Sequence, residues 1–243
     1  MGAADPSGDR QNVVHRVRHA LRHPGHTASL RAVTADGTDR SPEADDPSRE
    51  GRAQLGRMQF DYLLAHGLRP EHHVLEIGCG NLRAGRLLID HLDTGHYYGI
   101  DISPAILLAA QGTLVREGLQ AKLPHLTLVG DLTFGFLPEG HFDVVHAHSV
   151  FSHSPRQVVE QCLAHVGRIL APGGHFDFTF NRTEGREHQL PHEDFSYRTR
   201  TLTTIAARHG LKARFMDDWE RLPHRQSKIR VTLMSDRART VGP

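Results

Sequence analysis

From about residue 51 the apolar positions of the chain become periodic. Leu55, Met58, Phe60, Leu63 and Leu64 recur at helical spacing and stop near Gly67 and Pro70, residues that end helices. Short apolar runs then alternate with helical stripes. Val74-Leu75-Glu76-Ile77 reads as a strand entering Gly78-Cys79-Gly80, with a helix behind it marked by Ala84, Leu87, Leu88 and Leu92. Tyr97 to Asp101 is the next strand, Pro104 to Gly118 the next helix and Leu126 to Val129 the third strand. Regular alternation of this kind predicts an α/β domain, a parallel sheet covered by helices on both faces.

Phe142 to Ala147 is the fourth strand. The helix after it has Ser154 as the expected N-cap, Pro155 in its first position, Gln157 to complete a capping box, and Gly173-Gly174 at its end. Its stripe of Val159, Cys162, Val166, Ile169 and Leu170 puts Cys162 in the core. His175 to Phe180 alternates with period two, a polar linker follows, and Leu202, Ile205, Ala206 and His209 suggest a last helix before Gly210. Two final strands are expected near 213–216 and 229–234, joined by the polar hairpin 217–226, in which Trp219 either stacks on a bound ring or staples the hairpin.

Residues 1–50 differ in kind, being rich in Asp, Arg, Ser, Gly and Pro, and 41–48 is too polar to fold by burial. They read as a mobile leader before a catalytic domain of residues 51–243, with one short amphipathic helix through Val13, Val14, Val17, Ala20 and Leu21. A length of 243 residues suits one sizeable core. Basic and acidic residues nearly cancel, at a formal charge of +1, so nothing favours nucleic acid or an anionic membrane as partner. Cys79 and Cys162 are the only cysteines and support neither a disulfide framework nor a cysteine zinc site. With no secretory h-region and no apolar run near the ~20 residues that span a bilayer, the expected location is the cytoplasm.

The candidate chemistry lies at the carboxyl ends of the first strands. A glycine turn between strand and helix lets a ligand approach backbone closely, and the helix start offers free N–H groups. Here it reads Gly78-Cys79-Gly80-Asn81-Leu82-Arg83, with Arg83 where a dinucleotide fingerprint needs a small residue, so NAD is the weaker reading. Glu76 beside the turn suits an ammonium group. Asp101, about 20 residues on, stands where a carboxylate accepts from ribose hydroxyls, and Asp131 ends the third strand facing an adenine amine. Each acid alone could simply cap a turn; three at successive strand ends make that explanation poor.

Val74 to Gly80 resembles motif I of the class I S-adenosylmethionine-dependent methyltransferases, of the bacterial small-molecule tailoring type. Gly99-Ile100-Asp101-Ile102-Ser103 resembles the family's ribose-binding segment, Gly130-Asp131-Leu132 its adenine-side segment, and Leu170-Ala171-Pro172-Gly173-Gly174 its turn into the fifth strand. The resemblance spans residues 52 to 234. It implies a Rossmann-like seven-stranded, mostly parallel sheet with an antiparallel last strand, and S-adenosyl-L-methionine as cofactor. Glu76, Gly78, Cys79, Gly80 and Asn81 would wrap its methionine part, Asp101 and Ile102 its ribose, and Asp131 and Leu132 its adenine. Cys79 is then a small turn residue and not a nucleophile.

Methyl transfer is an in-line displacement, so the protein must align donor and acceptor, exclude water and, for O or C acceptors, remove a proton. His148, after the fourth strand, is the first candidate base; alternatively it packs on the cofactor and shapes the pocket. His153 resembles a position with a hydrogen-bonding role. The linker 181–197, with Arg182, Glu184, His188, His192, Glu193 and Asp194, is where acceptor contacts are expected. His188 and His192 have zinc spacing, but Pro191 interrupts any helix between them. His148 and Asn181 stand where metal-dependent relatives need acids, so no metal is expected. The reading is a transferase acting on O, N or C of a small-molecule acceptor, as monomer or homodimer. The alternatives are a nucleic-acid or protein methyltransferase, which neither a basic stripe nor an Asn-Pro-Pro-Tyr-type motif supports, and a cyclase-like binder of the cofactor, which the intact cofactor motifs allow equally and turnover to S-adenosylhomocysteine would separate from a transferase.

Overall fold

Strand β1 (Val74–Ile77) is buried at all four positions and occupies the middle of the sheet. The computed structural model describes residues 47–187, 195–222 and 226–234. Parallel to β1 run β2 (Tyr97–Asp101), β3 (His125–Leu128), β4 (Phe142–Ala147) and β5 (Leu170–Arg182), and a two-residue strand β6 (Ser196–Tyr197) adds to the end of β5. β8 (Ser227–Leu233) is antiparallel to both its neighbours, β5 and β7 (Leu211–Phe215), giving the order β3-β2-β1-β4-β5-β8-β7. The expected seven strands with an antiparallel last one are this path; β6 is the addition.

Helices α1 (Pro47–Ala65), α2 (Gly85–His91) and α3 (Pro104–Glu117) cover one face, where Phe60, Leu63, Leu88 and Leu114 meet Val74, Tyr97 and Val144. On the other, α4 (Arg156–Ile169) and α5 (Thr199–Arg208) bring Val159, Cys162, Val166, Leu202 and Ile205 against Leu75, Val145, Phe176, Phe178 and Ile229. The α1 face differs from its sequence reading: Gln59 and Tyr62 are buried beside Phe60 and Leu63, and Leu64 points outward.

Two local expectations fail. The capping box at Ser154 does not form. Pro155, extended at φ −65° and ψ 157°, is itself the N-cap of α4, and the Ser154 hydroxyl donates to the Val150 carbonyl at 2.8 Å. The residue before a proline is pushed out of helical geometry, so Ser154 turns back to the preceding loop. Nor does Gly173-Gly174 end the helix, because α4 stops at Ile169 and β5 starts at once. The glycines sit in an irregularity of β5, where its pairing jumps from Leu170 opposite Phe142 to His175 opposite Val144. A side chain on Gly174 would meet the Phe142 carbonyl oxygen at 2.6 Å.

One polar row matters for the site. Register puts Glu76, His146, Asp177 and Arg230 side by side on four neighbouring strands. Period-two polar positions normally face water, but here α1 and the short 3-10 turn Trp219–Arg221 lie over them, with Tyr62 and Trp219 in edge-to-face contact at 4.7 Å. Among the described residues no helix is long and apolar enough to cross a membrane.

Candidate active site

The turn after β1 is built by two left-handed glycines, Gly78 (φ 69°) and Gly80 (φ 56°). Gly78 and Cys79 both donate from backbone N–H to the Ile100 carbonyl, at 2.8 and 3.1 Å, which ties the turn to the end of β2. A Cβ on Gly78 would strike Val150 Cγ2 at 2.6 Å, whereas the space beside Gly80 is open. Asn81 is half-buried in the turn. The small residue that the dinucleotide pattern wants at position 83 is met two places later. Gly85 opens α2, and a Cβ there would lie 2.5 Å from the Tyr97 hydroxyl and 2.8 Å from Glu76 Oε2.

Asp101, 7% exposed, accepts from the Gly80 N–H at 3.1 Å and the Ser103 N–H at 2.9 Å. Two of the roughly four acceptor positions of a carboxylate are used this way. Burial pushes its pKa up, opposed by the backbone donors. Ile102 follows, half-buried, and Ser103 caps α3 by accepting from the Ile106 N–H at 3.4 Å. Glu76 lies behind the turn, 5% exposed, accepting from the Tyr97 hydroxyl. Burial, aided by Asp101 and opposed by Tyr97 and Arg83, pushes Glu76 up to about 7. Cys79 is 3% exposed, and burial followed by the neighbouring acids holds its thiol protonated, so it is no thiolate nucleophile.

Asp131 is exposed and accepts from the backbone N–H and hydroxyl of Thr133, at 3.0 and 2.7 Å. It therefore does cap its own turn, with acceptor capacity left over. Leu132 is buried and donates its N–H to Gln161 Oε1 at 3.0 Å.

His148 is 9% exposed at the end of β4, with its ring 6.3 Å from that of His146 and 5.8 Å from that of Trp219. The next residue, Ser149, has φ 58°, unusual for a side-chain-bearing residue. Its N–H donates to Thr179 Oγ1 at 2.8 Å, and its hydroxyl and that of Thr179 both donate to Gln226 Oε1, at 3.0 and 2.7 Å. Residues on β5 and just before β8 thus hold the backbone that carries His148. His153 is half-buried in the 3-10 turn Phe151–His153, apart from the polar row.

The sequence reading missed the polar layer under His148. Gln59 Oε1 lies 3.4 Å from His146 Nε2, and burial with the nearby Lys228 lowers His146 to about 3, so its ring is neutral. Asp177, fully buried, is gripped by Arg230 through bonds of 2.7 and 2.8 Å. Burial alone would raise it, but Arg230 and Lys228 hold it at about 2. Lys228 is fully buried as well. The only available signal was a period-two polar pattern in β5 and β8, which reads as a solvated face. His188, His192, Glu193, Asp194 and the leader helix lie outside the described residues. Among the described residues no group of three or more His, Cys, Asp or Glu is arranged to hold a metal.

Residues 75–176, from β1 into β5, match the family model described as "Methyltransferase domain". A sterol 24-C-methyltransferase of Gibberella zeae is 30% identical over 120 residues, 49% of this chain and 30% of that protein. A malonyl-[acyl-carrier protein] O-methyltransferase of Paenibacillus sp. is 27% identical over 160 residues, 64% of this chain and 55% of that one. The chain thus aligns with about half or less of the length of these two relatives. Among solved structures, magnesium protoporphyrin IX methyltransferase from Synechocystis PCC 6803, with S-adenosylmethionine bound, superposes with a TM-score of 0.59 at 16% identity, covering 96% of this chain and all of that one. The family model thus covers the stretch from the glycine turn into the fifth strand, and the fold of the chain is that of a methyltransferase solved with S-adenosylmethionine bound.

Proposed function

We propose that the chain moves the methyl group of S-adenosylmethionine to an O, N or C atom of a small-molecule acceptor, working without a metal ion. The observation that carries this reading is the joining of Gly80 to Asp101, which brings a glycine turn and two buried acids, Glu76 and Asp101, together at neighbouring strand ends. The residues fit the cofactor. Open space at Gly80 accepts its methionine part, Glu76 supplies a charge for the ammonium group, and the free acceptor positions of Asp101 suit two ribose hydroxyls. Asp131 and Leu132, just past the third strand, are the residues we assign to the adenine. The cofactor brings an activated methyl; the protein's share is to align the acceptor, exclude water and hold a proton acceptor.

His148 is the residue we assign to that last role, on a backbone fixed by Thr179 and Gln226. Asn181 and His148, at the ends of β5 and β4, supply none of the acidic oxygen ligands that hard cations prefer. The relative named for a sterol carbon supports a small organic acceptor, and the one named for the oxygen of a protein-bound acyl chain leaves the methylated atom open. The near-neutral charge argues against nucleic acid. The test is incubation of the purified protein with methyl-labelled S-adenosylmethionine and a fractionated bacterial extract. Label in the low-molecular-weight fraction supports the proposal; label confined to precipitable nucleic acid or protein overturns it.

A further inference from the structure

A lysine with no exposed surface is unusual, since an ammonium group in a low-dielectric interior costs several kcal/mol unless something replaces its water. Lys228 on β8 is such a residue, and its Nζ makes no hydrogen bond among the described residues. What surrounds it is aromatic. The Trp219 ring lies 4.0 Å from Nζ and the Tyr62 ring 4.4 Å, both presenting a face to the charge. Asp177 Oδ2 is 4.0 Å away but already serves Arg230. Two desolvated cation–π contacts therefore join the Asp177 carboxylate in holding the ammonium.

The position of this ammonium has a consequence for the site. Trp219, itself fully buried, is pinned on one side by Lys228 and at its edge by Nε1–H donating to the Gln226 carbonyl at 2.9 Å. Its ring is in turn the tilted neighbour of the His148 imidazole. Gln226 also holds Ser149, so the two supports of His148, ring and backbone, converge on one stretch of chain. A structural clamp between α1 and the sheet would be served as well by a leucine, which costs nothing to bury. A cation is the costlier choice, and beyond helping to hold Asp177 ionised its effect falls on the ring it touches and on whatever that ring touches.

We propose that Lys228 is a positioning residue for the methyl-transfer site: its ammonium holds the Trp219 indole against His148 and so fixes where that imidazole stands. The proposal rests on the reading of His148 as the residue facing the transferred methyl. The charged and titratable groups facing Lys228 are Tyr62 on α1, His146 on β4, Asp177 and His175 on β5, Arg230 on β8, and Asp218 beside Trp219. Burial, with Arg230 adding to it and Asp177 opposing it, brings Lys228 down to about 8, within reach of a titration.

Trp219 is the only tryptophan of the chain, so its emission reports on this assembly alone. The experiment is a fluorescence titration from pH 5 to 10 of the full-length protein and of Lys228→Met, Lys228→Arg and His148→Asn. A protonated imidazole quenches a neighbouring indole, so the wild type is expected to show an inflection that His148→Asn abolishes. In Lys228→Met that inflection moves up by about half a pH unit or more, a roughly threefold gain in proton affinity, and Lys228→Arg returns it toward the wild type. An unmoved inflection in folded Lys228→Met, or none that depends on His148, overturns the proposal. If Lys228→Met does not fold, wild-type protein with 13C-labelled histidine replaces it. The His148 resonance should then show a second inflection where Lys228 loses its proton, and a single one overturns the proposal. Methyl transfer by His148→Asn, measured against its S-adenosylmethionine affinity, tests the underlying reading separately, because the coupling of the two rings is measured without cofactor.

Discussion

Replacing Glu76 by Gln should stabilise the ligand-free protein and impair it as an enzyme. Glu76 sits mid-sheet with the Tyr97 hydroxyl as donor, and its proton leaves only at about pH 7 against an ordinary 4.5. At 1.36 kcal/mol per tenfold, ionising it in the fold costs about 3 kcal/mol more than in the unfolded chain. The sign follows from the raised value. Below pH 4.5 both states hold the proton and no cost arises; stability is lost as pH rises, fully so once pH passes about 7. Gln keeps an acceptor for Tyr97 and never ionises. The advantage of Glu76→Gln in urea unfolding should thus grow by about 3 kcal/mol between pH 4 and pH 8. In the proposed role the same variant would lack the charge for the ammonium of S-adenosylmethionine, and loss of a buried charge partner is worth about 3 kcal/mol, or more than a hundredfold in Kd. A stability difference that stays constant from pH 4 to pH 8 would refute the reasoning, since every other group titrates alike in both proteins.

Three further outcomes are expected. Asp101→Asn should weaken S-adenosylmethionine binding by at least about tenfold, whereas His148→Ala should leave binding nearly intact and slow transfer by about a hundredfold or more; equal losses of binding in both would remove His148 from the base role. Gly78→Ala should lower stability by about 1–3 kcal/mol in thermal unfolding, through its φ of 69° and the 2.6 Å approach to Val150, and Val150→Ala should recover only the steric part. His175 is lowered by burial to about 4, so the unfolded chain takes up a proton first as pH falls through 6.5. His175→Gln should therefore remove about 2 kcal/mol of the stability lost between pH 7 and pH 5, and an unchanged acid slope would contradict that burial argument.

Alternation was the legible part of this fold. Val74–Ile77 and Tyr97–Asp101 form strands at the expected residues, and Asp101 meets the glycine turn, because short apolar runs ending in glycine leave few alternatives. Where local chemistry had two outlets, the reading failed. Ser154 could cap a helix or turn back to Val150, and the proline after it decided for the second. Asp177 and Lys228 were illegible for another reason: their strands alternate polar and apolar as a solvated sheet would, and only the packing of α1 and Trp219 over them turns that face into a buried layer. Gly85 was visible in the sequence, but its use as the close-packing residue depends on where Tyr97 and Glu76 place their oxygens.

In the proposed site the turn from Gly78 to Gly80, with Glu76 and Asp101, holds S-adenosylmethionine. The decisive experiment is calorimetric titration of the purified protein with S-adenosylmethionine, S-adenosylhomocysteine and NAD in parallel. Binding of the first two, without NAD and weakened by Asp101→Asn, is the predicted result; binding of NAD alone, or cofactor binding indifferent to Asp101, would contradict the account.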